Sequence, residues 1–234
     1  MIIFDIETES LPEDELWDLI PPFDDNEVKI GNRGPEKAAE YIAQKHLEHE
    51  QDFFEKAALS STSGRILAIG YFSPDKNKFT IDAVDEKHAE DGGSEAALLT
   101  RFWKLFNSMR EQGRSMIGVN ITEFDLPFLC RRSYMLGVDV PDSVFANSSR
   151  RYFSDTFVDV CSLWLCGQRM GSEPANFDAL ARAFGTGGKP DGVSGKDFAK
   201  LYRAGGSERT RAIDYLESDV RQPAIWAQRM GVLK

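Results

Sequence analysis

The alternation of apolar and polar positions begins at once. In MIIFDIETE, Ile2, Phe4 and Ile6 fall on one face of an extended strand, and Ile3, Asp5 and Glu7 fall on the other. The first face predicts burial. The second sets two carboxylates one strand step apart, where they repel each other and resist desolvation. Either the strand ends in water at Asp5, or a bound cation holds both acids ionised. RILAIGYF (65–72) is apolar nearly throughout and predicts a central strand, with KFTIDAV (78–84) returning beside it as a hairpin after the turn SPDKN. SMIGVN (115–120) predicts a buried strand parallel to the first, because a helix precedes it, and FVDVC (157–161) predicts another.

Helical spacing fills the intervals. EKAAEYIAQKHLEHEQDFFEKAAL (36–59) predicts a solvent-facing helix with one docked side, inside a Pro- and acid-rich excursion over about 10–64. His46, His49 and Glu50 share a face of it, but a third convincing metal ligand is missing, so a solvated face is the better reading. Ser94 is placed to cap a helix to Arg110, whose Leu99, Phe102, Trp103, Phe106 and Met109 form a core stripe. A helix over 126–136 follows, with Asp125 at the N-cap position and Gly137 near its end. Asp125 alone reads as an ordinary cap; Phe124 and Phe128 are either core or rings open to a nucleobase. Helices are predicted over 176–185 and 194–206, and a last one from about 208 carries Tyr215 and Asp219 on one face, with Pro223 expected to kink it just beyond Asp219 and Ile225, Trp226 and Met230 docking the remainder. GTGGKP (185–190) fails as a phosphate loop, since Ala183 and Pro190 stand where Gly and Ser or Thr are needed.

The 234 residues, 41% hydrophobic, suffice for a single α/β domain with a mixed sheet and the helical excursion. No apolar run is long enough to cross a bilayer and no signal peptide is evident. Cys130, Cys161 and Cys166 read as reduced thiols, and a cytoplasmic location is the expectation. The net charge of −10 is unevenly spread: residues 1–100 hold 23 acidic and 9 basic side chains, residues 101–234 hold 15 and 19. Such a chain will not coat a duplex by counterion release. It can take a strand end into a cleft that supplies its own cations.

Three stretches taken together resemble the DEDD superfamily of 3′-5′ exonucleases, tyrosine subclass, and in particular the stand-alone exonucleases similar to the exonuclease domain of family-B DNA polymerases. Asp5 and Glu7 match the D-x-E motif, Asn120 through Leu129 match N-x-x-x-F-D-x-P-F-L with the third acid at Asp125, and Tyr215 with Asp219 matches the last motif. ALSSTSGRILAIGY is similar to the second-strand region of those exonucleases. The chain departs from them at Thr8-Glu9-Ser10 and at Pro223. The resemblance implies a ribonuclease-H-like fold, a central mixed β-sheet flanked by helices. It implies two divalent cations, Mg²⁺ or Mn²⁺, held by Asp5, Glu7, Asp125 and Asp219, with Tyr215 aiming the nucleophilic water. Thr8, Asn120, Phe124 and Phe128 become candidates for contact with the strand end, and Arg131, Arg132, Arg150 and Arg151 for contact with phosphates.

The residue types suit that chemistry. Phosphodiester cleavage needs an activated water, neutralised phosphate charge and a stabilised leaving oxygen, which paired hard cations on carboxylates supply. The expected substrate is the 3′ end of single-stranded nucleic acid, DNA before RNA. Proofreading or repair alongside a polymerase or other replication partner would act in trans. An RNA-trimming enzyme and a catalytically silent binding module are the rivals.

Overall fold

The two faces of the first strand decide where the helices lie. In the computed structural model, which describes residues 1–144, 156–169, 171–188 and 193–233, β1 (Ile2–Ser10) sends Phe4 and Ile6 into one core and Ile3 into another. β2 (Gly64–Ser73) and β3 (Lys78–Ala83) form the expected antiparallel hairpin, registered from Ala68 against Ala83 to Ser73 against Lys78. β4 (Met116–Gly118) pairs parallel to β1 through Ile2 with Met116 and Ile3 with Ile117, and β5 (Phe157–Asp159) pairs parallel to β4. The sheet order is β3-β2-β1-β4-β5, a mixed sheet flanked by helices, as expected of a ribonuclease-H-like α/β fold.

The described residues fall into two units, 8–65 and the remainder. In the first lie α1 (Glu13–Leu16) and α2 (Pro35–Lys56); α2 buries only Ala38, which accords with a helix largely in solvent. Phe54 meets Trp17 edge-on at 4.9 Å, and Arg65 pairs with Glu9 at 2.8 Å. His46 lies beside Glu50, while the ring of His49 bonds the Pro21 carbonyl at 2.9 Å.

In the other unit α3 (Glu95–Glu111) and α4 (Asp125–Leu136) cover the Phe4 face, through Leu98, Phe102, Trp103 and Phe106 from α3 and Leu126, Phe128 and Leu129 from α4. Ser94 caps α3 by accepting from the Ala97 amide, as the sequence implied. On the Ile3 face lie α5 (Val160–Trp164), α6 (Phe177–Phe184) and the far half of α8 (Gly206–Arg229). α7 (Gly195–Ala204) packs on the near half of α8 and on Leu67 of β2.

Two expectations need correction. FVDVC is strand only to Asp159, whose side chain accepts from the Cys161 amide and turns the chain into α5. The capping residue of α4 is Phe124, and Asp125 is already inside the helix with its carboxylate committed elsewhere. α8 continues as one helix from Gly206 to Arg229 with Pro223 inside it. Proline removes one helical amide and crowds one carbonyl. Here the turns beyond are held by burial of Trp226 and Ala227, and by the indole Nε1 donating to Thr186 at 3.0 Å.

Candidate active site

β1 carries Asp5 and Glu7 on the face turned toward α8, and α8 brings Asp219 to meet them. One carboxylate oxygen from each of the three lies within 4.8 Å of the others. The close approach of α8 depends on Gly70 of β2: a Cβ there would stand 2.7 Å from Leu216 Cγ, so only glycine lets the helix settle this near the sheet. Opposite ligands of a Mg²⁺-sized ion stand about 4.2 Å apart. The three hard oxygen donors therefore fit a divalent cation, with Glu7 and Asp219 buried and Asp5 half-buried.

Tyr215 lies one turn before Asp219, is buried, and is hydrogen-bonded to the Asp219 side chain. Burial, and then the charges of Asp219, Glu7 and Asp5, push its phenol well above the ordinary range. With the three carboxylates beside it the phenol keeps its proton and is available as a hydrogen-bonding group.

Asp125 arrives from the opposite helical layer. β4 leaves the ladder at Gly118, where a Cβ would lie 2.3 Å from Ile121 Cγ2 and 2.9 Å from the Phe4 carbonyl. The chain turns over at this point, and the buried Asp125 accepts from the Ile6 amide at 3.1 Å, between the two acids of β1 in sequence. Its carboxyl is pushed up to about 7, by burial above all and by the charge of Asp159, against the pull of the Ile6 hydrogen bond. Asp125 lies outside the group of three whose oxygens fall within 4.8 Å of one another, and its bond to Ile6 braces the strand that carries two of its members.

The substrate candidates separate. Phe128 is buried in the core and withdrawn from any nucleobase; Phe124 is half-buried, its ring 5.5 Å from that of Phe128. Asn120 sits in the left-handed region at φ +59 in the turn between β4 and α4. Thr8 follows Glu7 on β1, half-buried. Arg132 is not available to phosphates: it is buried in a two-pronged ion pair with Glu95, at 3.0 and 2.7 Å. Arg131 is exposed on α4, and Arg150 and Arg151 lie outside the described residues.

One residue that motif spacing does not pick out is Asp159. Buried at the end of β5, it accepts from the amides of Asn120 (3.0 Å) and Cys161 (2.9 Å) on one oxygen, and from the amide and hydroxyl of Thr122 (3.0 and 2.7 Å) on the other. It thereby fixes the turn that delivers Asn120 and Asp125. The available signal was an acid inside an otherwise apolar FVDV.

Comparison with known proteins agrees with this geometry. Residues 56–227 match the family model described as "Predicted 3'-5' exonuclease related to the exonuclease domain of PolB". Asp125, Tyr215 and Asp219 fall inside the matched segment, and Asp5 and Glu7 precede it. Among solved structures, the family B DNA polymerase of the hyperthermophilic archaeon Pyrobaculum calidifontis superposes with a TM-score of 0.57 at 12% identity, over 98% of this chain and 24% of the polymerase. At that identity the likeness is one of fold, and the chain spans about a quarter of the polymerase. No curated protein matches significantly. The family match covers most of the chain, and three carboxylates fit for a cation stand where its fold brings the first strand and last helix together; the protein belongs to this family of exonucleases related to the PolB exonuclease domain.

Proposed function

We propose that this protein removes nucleotides one at a time from the 3′ end of single-stranded DNA, releasing nucleoside monophosphates. The observation that carries the reading is the convergence of Asp5, Glu7 and Asp219, with Tyr215 bonded to the last. Asp5, Glu7 and Asp219, joined by Asp125, would hold two Mg²⁺ or Mn²⁺ ions. Such ions supply charge neutralisation at the phosphate and a water of lowered pKa. Tyr215, fixed as a neutral phenol, orients that water through its hydroxyl. Asp125 holds Ile6 in place and so keeps Asp5 and Glu7 in register. The exposed side of Phe124 offers a ring on which a terminal base can stack, favouring an unpaired end. Asn120 and Thr8 are the candidates for contact with the terminal nucleotide. The helical excursion is an insertion in a single exonuclease domain, and a replication partner such as a polymerase would supply the context for proofreading or repair.

The test is digestion of 5′-labelled DNA and RNA oligomers with Mn²⁺ or Mg²⁺. A DNA ladder that shortens stepwise from the 3′ end, lost in Asp5→Ala and in Asp219→Ala, is the expected result. Undiminished digestion by both variants would sink the mechanism, and preferential shortening of RNA would move the substrate to the 2′-hydroxyl strand. Tyr215→Phe is expected to lower kcat by on the order of 10²-fold with KM little changed.

A further inference from the structure

We infer that the outer face of α7 is a track for the phosphates of the single strand leading into the carboxylate site. The inference rests on the nuclease reading above and adds where the substrate lies. α7 starts at the site: a Cβ on Gly195, its first residue, would be 3.6 Å from the Tyr215 hydroxyl oxygen. From there Lys196, Lys200 and Arg203 follow at i, i+4 and i+7, all exposed, and so form one stripe. The opposite side of the helix is buried through Phe198 and Tyr202, with the Phe198 ring 6.5 Å from that of Tyr215. The orientation of α7 is thus set by its core side, and the cations have no freedom to turn inward.

Charge complementarity argues for a polyanion. In a chain of net charge −10, residues 195–211 carry five basic against two acidic side chains. The one acid of α7, Asp197, accepts from the Ser194 amide (3.1 Å) and hydroxyl (2.7 Å) as half of a capping box, which turns it back to the helix start. Arg203 approaches Glu86 at 3.7 Å, an exposed pair that a phosphate can displace at little cost. Seven helical residues rise about 10 Å, close to three nucleotides at the per-strand spacing of about 3.4 Å for stacked bases.

The test compares the full chain with Lys196→Gln/Lys200→Gln, and with Lys76→Gln/Lys78→Gln as a charge-matched control on exposed positions of another surface. Each is assayed with Mn²⁺ on thymidylate oligomers of three and twelve nucleotides over a salt series, and binding of a fluorescent 12-mer is followed by anisotropy. The stripe variant is expected to raise KM and Kd for the 12-mer several-fold at low salt and the trimer far less. It should flatten the log–log salt slope by about 0.7 for each phosphate that is no longer neutralised, and the control should do neither. Equal effects of the two variants, or no dependence on oligomer length, overturn the track. The parent's hydrolysis of the p-nitrophenyl ester of thymidine monophosphate interrogates the carboxylate site alone. A parent that cleaves neither ester nor oligomer, yet binds the 12-mer through Lys196 and Lys200, removes the nuclease reading and leaves the track standing.

Discussion

Asp159 gathers four donors on two oxygens, and an amide in its place can satisfy only one pair. Asp159→Asn must turn its NH₂ toward either the Thr122 amide and hydroxyl or the amides of Asn120 and Cys161. Buried hydrogen bonds to a charged group are each worth roughly 1.5–3 kcal/mol. The expected outcome is destabilisation by about 2–4 kcal/mol, read as a lower urea midpoint at unchanged slope. Loss of activity should follow in Asp159→Asn, since the same turn delivers Asp125. The one local mark of this role is an acid inside an otherwise apolar stretch. FVDV read as a strand because three of four positions are apolar, and the fourth met three of its four donors 37 to 39 residues away.

At the scale of elements, α3, α4 and β2 are tied by one buried group. Glu95 accepts both prongs of Arg132 and the Ile66 amide at 2.9 Å. Arg132→Met fills much of the space but leaves Glu95 buried and charged, and should cost about 3–5 kcal/mol, whereas Arg131→Met beside it, on an exposed position, should cost less than about 0.5 kcal/mol. Denaturant titration of the two variants side by side checks the contrast. α8 keeps its helical turns on both sides of Pro223. Gln222 accepts from Thr186 at 2.8 Å and donates to Ser218 at 2.8 Å and to the Gly188 carbonyl at 2.5 Å, so the turn around Pro223 is tied to the segment after α6 by the Thr186 hydroxyl and the Gly188 carbonyl.

On the scale of the whole molecule, the site joins a strand at the start of the chain to a helix near its end, so a cation shared by Asp5, Glu7 and Asp219 would link the two. Saturating Mn²⁺ should therefore stabilise the native state by RT ln(1 + [M]/Kd), about 2.7 kcal/mol at a hundredfold excess over Kd, or roughly 5–10 °C in Tm for a chain of this size. Asp219→Ala should abolish most of the gain in a thermal melt, and an equal gain in the variant would place the ion elsewhere. The sequence by itself determined the strands and helices with strong period, the antiparallel hairpin, the parallel pairing of β1 and β4, and the face shared by Asp5 and Glu7, because each follows from side-chain periodicity and local connection. Only the tertiary structure decided that Asp125 bonds to β1 in place of capping α4, that Phe128 and Arg132 are buried, that Asp159 holds the turn, and that α8 continues as one helix past Pro223. Those outcomes depend on partners distant in sequence, and local pattern carries no information about which distant group will satisfy a buried donor or charge.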